Sequence, residues 1–347
     1  MSTNAKVVRV GLAPATLSGL AGSSAELSVE TSQIDNSIFG TEFSSQLAGV
    51  SSFSLSANAW LRRTAGFKAS VKRAGNPTPF TTEAFAQVGS TKTYRIVDQS
   101  KEVWDTEDLV VIFDDGTEVD AVDIAEIDPM FGRVTFAANY TVTGPITATG
   151  SFLTLADQCF ANSVDLTQNA ESIDISDFCN VAEEDGFVVT EYGTKTVSAS
   201  LSGFYRAGND FFEQLKARES FVLEFDFDGE GNTVARGVFT ITNYSQSGDQ
   251  GSVEDLSLDF QLSVPEGYRP FSWNFTAESE ASQSFKDVVN AWLRSEYLHF
   301  QYLPFGVNQQ GFAGKGVIDD ASLSVSVDSI AELTVSLSGS GELERTI

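Results

Sequence analysis

Apolar and polar residues alternate with a period of two along most of this chain, the spacing of a half-buried strand. Val253-Glu254-Asp255-Leu256-Ser257-Leu258-Asp259-Phe260-Gln261-Leu262 puts apolar side chains on one face and polar ones on the other. Residues 322–327, 333–337, 197–201 and 53–57 repeat the pattern, with serine and threonine rather than lysine on the polar face. This predicts antiparallel strands, each with one face on a core. Helical periodicity is scarce. Over 285–295, Val288, Val289, Trp292 and Leu293 form an apolar stripe, and Ser284 with Asp287 approximates a capping box. Over 210–218, Phe211, Phe212 and Leu215 share one face. Each stripe predicts a short helix lying across a sheet.

The order of these elements occurs twice. Residues 209–264 and 286–341 each read as a short helix, a strand, a glycine-bearing turn and two more strands. Phe211, Phe212, Leu215, Phe221, Leu223 and Phe225 correspond to Val288, Val289, Trp292, Leu298, Phe300 and Tyr302 at a constant offset of 77. Arg236-Gly237-Val238-Phe239 matches Lys315-Gly316-Val317-Ile318 at 79, a two-residue slip, before Asp255-Leu256 meets Glu332-Leu333 at 77 again. The preceding half recurs more faintly: Ile173-Asp174, an acidic loop and the strand 196–204 answer to Ile34-Asp35, a Ser/Gly-rich loop and the strand 50–57. The expected division is a split copy A at 1–75 and 267–347, a contiguous copy B at 156–266, and a linker plus small β module at 76–155. In that module Val110 to Val119 is a hairpin signature with Asp115-Gly116 at its turn, and residues 132–136 and 146–152 continue it as strands. Duplication on this scale more often builds an assembly surface than a catalytic cleft.

Composition narrows the function. The chain has 347 residues, 41% of them hydrophobic, enough for two or three cores. Phenylalanine, with 27 copies against two methionines, supplies much of this content. The net charge of −27 repels nucleic acid and excludes a role that grips phosphates. The N-terminus lacks a charged and then apolar leader, and no apolar run is long enough to span a bilayer. A cytoplasmic site of synthesis with reduced Cys159 and Cys179 is therefore expected, and no membrane partner.

The chemical motifs fail on their own terms. Asp226-Phe227-Asp228-Gly229-Glu230-Gly231-Asn232 starts like a calcium loop, but Gly237 stands where the bidentate Glu belongs. Gly311 to Gly316 brushes against a phosphate loop, yet Gly316 holds the hydroxyl position and strand follows. His299 is the only histidine and sits in an alternating strand, leaving no pair for a metal site and a poor start for a catalytic triad. No catalytic residue, cofactor or metal is expected, and the chain reads as a non-enzyme. Two charged clusters are candidate inter-subunit contacts. Glu183, Glu184 and Asp185 form an acidic loop tip; Arg62, Arg63, Lys68, Lys72 and Arg73 gather five of 21 basic residues within twelve positions. For the basic cluster two readings stand, local charge balance or a seam that meets an acidic patch on a neighbour.

A β-sandwich half, a flanking helix, a long loop before a Ser/Thr-faced strand, and duplication resemble the tail tube proteins of long-tailed, siphovirus-like bacteriophages. Residues 94–98, 103–105 and 128–136 are similar to a small module associated with such tail proteins. The resemblance implies a mainly β fold: two tube-like sandwich or half-barrel units, each with a short helix, plus the extra module. It implies a structural virion protein, assembled in a host cytoplasm, whose rings stack into a hollow tube that conducts DNA without binding it specifically. Its partners would be itself and other tail proteins. Two units per chain imply a trimeric ring with pseudo-sixfold symmetry, with a hexamer as the alternative. The loops at 36–49 and 176–194 would reach the next ring, so that deleting 180–193 would leave folded protein unable to polymerise.

The competing expectation is a carbohydrate-binding or adhesin-like multidomain β protein, with Trp104, Trp273 and Tyr302 as exposed sugar-stacking platforms.

Overall fold

A computed structural model describes residues 7–20, 22–35, 46–60, 70–108, 110–158, 161–205, 211–227, 231–248, 253–264, 268–275, 280–306, 310–326, 329 and 331–346. Its strands are β1 (Val7–Gly11), β2 (Ser18–Leu20), β3 (Gly22–Asp35), β4 (Gln46–Trp60), β5 (Ser70–Gln87), β6 (Thr93–Ile96) and β7 (Val111–Asp114). They continue as β8 (Thr117–Glu118), β9 (Ile124–Asp128), β10 (Arg133–Phe136), β11 (Ile146–Asp157), β12 (Ala161–Asp174), β13 (Thr190–Phe204) and β14 (Ser220–Asp226). The last are β15 (Thr233–Ser247), β16 (Asp255–Leu262), β17 (Phe271–Phe275), β18 (Leu298–Leu303), β19 (Gly311–Ser326), β20 (Glu332–Gly339) and β21 (Glu344–Thr346). The α-helices are α1 (Phe178–Glu183), α2 (Phe211–Ala217) and α3 (Glu280–Arg294). The fold is mainly β, and every strand pairing with an assigned register is antiparallel.

The chain divides into two compact units, one of residues 1–66, 164–198 and 277–347 and the other of 67–163 and 199–276. Residues 164–198, placed by sequence in copy B, thus group with the first unit.

In the first unit a ladder runs β2–β1–β18–β19–β20–β4–β3. Period-two alternation places Leu55 opposite Leu337, Ala57 opposite Val335 and Ala59 opposite Leu333, all buried, with Ser54 and Ser56 exposed on the other face. The helix α3 packs over β1, β2 and β19, burying Phe285, Val288, Val289 and Trp292. It begins earlier than the sequence suggests. Ser284 lies within it, buried, and its Oγ donates to the Gly19 carbonyl at 2.9 Å, so the expected capping box is not formed.

In the second unit β14, β15 and β16 form the corresponding meander, with α2 over β15. Phe211 is buried but Phe212 is exposed, edge-on to Tyr244, so the expected three-residue stripe is narrower than drawn. The pairing registers also remove the two-residue slip. Phe221 pairs with Phe239 and Phe239 with Leu262; Leu298 pairs with Gly316 and Gly316 with Gly339. Phe239 therefore answers to Gly316, and Gly237 to Gly314, at 77 throughout. Both glycines lie beneath aromatic rings, Gly237 against Phe239 and Phe271, Gly314 against Phe300 and Phe53. The β-bulges agree: one falls between Ile241 and Asn243, the other between Ile318 and Asp320.

Copy B begins earlier than the sequence reading has it. Phe300 pairs with Val10 of β1, and its counterpart Leu223 pairs with Arg73 of β5. Val10 pairs with Ser18 of β2, while Arg73 pairs with Ala156 of β11. The start of β5 and the end of β11 thus fill the places of β1 and β2, and the small module grows from the hairpin between them. The module has its own core, in which Trp104 is surrounded by Phe80, Ile112, Val134 and Phe136. Its β7–β8 hairpin turns through Asp115 and Gly116, both at positive φ, as the Asp-Gly signature predicts.

Candidate assembly surface

The arm 164–198 is fixed to the first unit along its length. The turn of α1 is closed locally: Asp177 accepts from the Cys179 and Asn180 amides at 2.8 Å, and Asn180 Oδ1 accepts from the Asp177 amide at 2.7 Å. Beyond it the backbone docks on β4. The Ser51 amide donates to Gly186 O and the Val188 amide to Ser51 O, each at 2.9 Å, while Phe187 meets Phe53 edge-on at 5.9 Å. Thr190 is buried, its amide donating to Ser340 Oγ at 3.1 Å. The Tyr192 hydroxyl donates to Glu296 O and accepts from the Ile318 amide, both at 3.1 Å, and burial pushes its pKa up to about 12. Lys195 donates to the Trp292 and Leu293 carbonyls, neutralising the negative end of α3.

This geometry corrects the proposed deletion. Residues 190–193 belong to β13 and carry buried bonds, so removing 180–193 would damage the unit rather than trim a loop. Of the other expected loop, 36–45 lies outside the described residues, and 46–49 opens β4.

The acidic tip is not uniform. Glu183 and Asp185 are exposed. Glu184 accepts from the Glu342 amide at 2.8 Å and pairs with Lys315 at 3.4 Å, which holds its carboxyl below the usual range. Glu184, Lys315 and His299 line a cleft of about 380 Å³ with Pro14, Leu17 and Glu344. Burial and then the Lys315 charge keep the imidazole below its ordinary pKa, so it is neutral at pH 7. Gly311 to Gly316 forms the first part of β19, a strand with no phosphate cradle.

Of the basic cluster, Arg62, Arg63 and Lys68 lie outside the described residues. Lys72 and Arg73 are engaged inside the second unit. Lys72 pairs with buried Glu224 at 2.7 Å, and Glu224 also accepts from Arg236 Nε at 2.6 Å. Arg236 continues to Glu102 at 2.6 Å and lies over the Phe131 ring. Arg73 sits 5.3 Å from both the Phe211 and Phe221 ring centres. For Lys72 local charge balance is the reading the contacts favour, while Arg73 packs against rings. Sequence reasoning missed Glu224 and Arg236, whose i to i+12 spacing across a hairpin becomes visible only once the register of β14 and β15 is known.

The sugar-stacking expectation loses its residues. Trp104, Trp273 and Tyr302 are all buried: Trp104 in the core of the small module, Trp273 stacked on Phe227 and Phe275, and Tyr302 on the inner face of β18. Among the described residues no group of His, Cys, Asp and Glu is arranged to hold a metal.

No protein-family model matches the chain, and no curated protein does. Solved structures do. A chain of the virion of a native gene transfer agent (GTA) particle is 18% identical, aligned over 35% of this chain and 89% of its own, with a TM-score of 0.26. A chain from the tail of an empty GTA particle with C6 symmetry is 17% identical over 36% and 87%, with a TM-score of 0.27.

Proposed function

We propose that this protein is a structural tail subunit of a phage-like virion, non-enzymatic, whose copies close into rings that stack as a hollow tube. The observation that carries the reading is the duplication itself, preserved through strand register, bulge and helix over two consecutive meanders. Two like units in one chain halve the number of chains a pseudo-sixfold ring requires, so the ring holds three. Long strands faced with serine, threonine and acids give such a tube a wall that does not grip DNA. Negative-stain electron microscopy of concentrated protein, paired with light scattering, tests it. Hollow rings or tubes with a three-chain ring mass are expected. A monomer at every concentration overturns the reading, and a six-chain ring mass overturns the trimer.

A further inference from the structure

The arm of copy B shows what the arm of copy A lacks. β12 and β3 each have 14 residues and β13 and β4 each have 15, and β12 matches β3 at an offset of 139. β12 pairs with β19. On that edge of β19 the residues up to Gly316 are taken by β18, so β12 occupies the distal half. There Val164, Leu166, Gln168 and Ala170 are buried on the arm, and Ala321, Leu323 and Val325 on β19.

The matched positions elsewhere lose that cover toward the far end of each strand. In β3 they are Ala25 and Leu27, half-buried, and Val29 and Thr31, exposed. Val29 is 50% exposed where Gln168 is 1%, and Thr31 is exposed where Ala170 is buried. The counterpart of Leu323 on β15 is Gln246, and that of Val325 is Gly248, one residue past the strand, both exposed. Among the described residues β3 pairs with β4 alone, and β15 beyond Thr240 pairs with β16 alone. Each is an open edge. The opposite faces match as well: Glu26, Ser28 and Glu30 stand where β12 has Asp165, Thr167 and Asn169. The distal half of β15, Tyr244 to Ser247, carries no charge to oppose β3.

We propose that the open edge of β3 in one copy of this chain joins the distal half of β15 in a second copy, repeating between chains the β12–β19 pairing made within one. The inference rests on the self-assembly reading above and names its junction. The interface is heterologous: each chain offers one β3 and one β15, so it propagates until a ring closes.

Sedimentation velocity tests it on three full-length proteins: wild type, Val29→Lys/Thr31→Lys, and Gln246→Lys/Ser247→Lys. All four sites are exposed, so unfolding midpoints match wild type. Should either double variant lose its fold, the single changes Val29→Asp and Gln246→Asp serve instead. Wild type assembles, while each variant alone sediments as one chain. An equimolar mixture of the variants forms 1:1 dimers and stops, because one intact β3 meets one intact β15. Variants that assemble like wild type, or a mixture that stays monomeric, overturn the junction and leave tube formation standing. Wild type that never assembles overturns both.

Discussion

Arg218 and Ser295 stand 77 residues apart and adopt the same left-handed conformation, each with φ at 57°. Each ends its helix in the same way: the Arg218 amide donates to Leu215 O and the Glu219 amide to Gln214 O, while Ser295 donates to Trp292 O and Glu296 to Ala291 O. A left-handed C-cap normally takes glycine, because a Cβ crowds the following carbonyl. Two non-glycine residues keeping it at equivalent places show that the duplicated unit fixes backbone geometry more tightly than side-chain identity.

Arg218→Gly and Ser295→Gly should each raise stability by about 1 kcal/mol, since glycine enters this region without the Cβ penalty. Urea unfolding would register the gain. A loss in either variant would mean that the side chain contributes more than the strain costs.

Glu224→Gln should destabilise the second unit by about 3 kcal/mol, because it leaves Lys72 and Arg236 beside a neutral amide in a buried setting. Lys72→Met should cost less than about 1 kcal/mol, the lysine being one-third exposed and screened. Equal costs for the two would contradict a network centred on Glu224.

Gly339→Ala should cost about 2 kcal/mol, because a Cβ there would lie 2.4 Å from the Phe53 ring. Phe53 also holds Phe187 of the arm, so proteolysis between 180 and 189 should quicken in the variant. Unchanged cleavage would separate the arm from that ring.

Three acids should pull the pH dependence in two opposite directions. Burial raises Asp319 and Asp320 above 3.8, so the folded state holds their protons more tightly and stability falls as pH climbs from 3.8 through their folded values. Hydrogen bonding from the Glu342 amide, and then Lys315, lowers Glu184 below 4.5, so its stabilisation is lost as pH falls from 4.5 through its folded value. Asp319→Asn/Asp320→Asn should therefore gain stability at pH 7 relative to pH 3. Glu184→Gln should lose about 1 kcal/mol at pH 7 and little at pH 3, a figure already reduced for its exposure. Denaturation at the two pH values would show both signs.

Strands were legible because a half-buried strand writes its two faces into alternate residues. Leu55 and Ala57, like Leu333, Val335 and Leu337, are buried as that alternation says, although their pairing came only with the register. Which copy a strand packs with was not. Residues 173–174 resemble 34–35 in sequence, yet nothing local in Val164, Leu166 or Ala170 says that β19 will cover them. The start of copy B was hidden for a similar reason: Arg73 and Val10 share a place in the ladder but no chemistry, because one lies over aromatic rings and the other fills a core. The charged candidates were half legible. Composition marked Lys72 and Glu184 as unusual, while their partners Glu224 and Lys315 depended on contacts 152 and 131 residues away.

The small module leaves and rejoins its host through two strands that are already zipped together, Arg73 to Ala156 and Lys72 to Asp157. In copy A the same two strands are joined by residues 12–17 alone. The stem is continuous with the host, but the cassette it carries is not inert: Val103, Met130 and Phe131 pack with Val222, Val234 and Val238, and Glu102 holds Arg236. The short turn of copy A can close the stem in place of residues 75–155. The exposed apolar face of β14 and β15, and an Arg236 stripped of Glu102, would then need a new cover, which a foreign domain carried at the same point would have to supply.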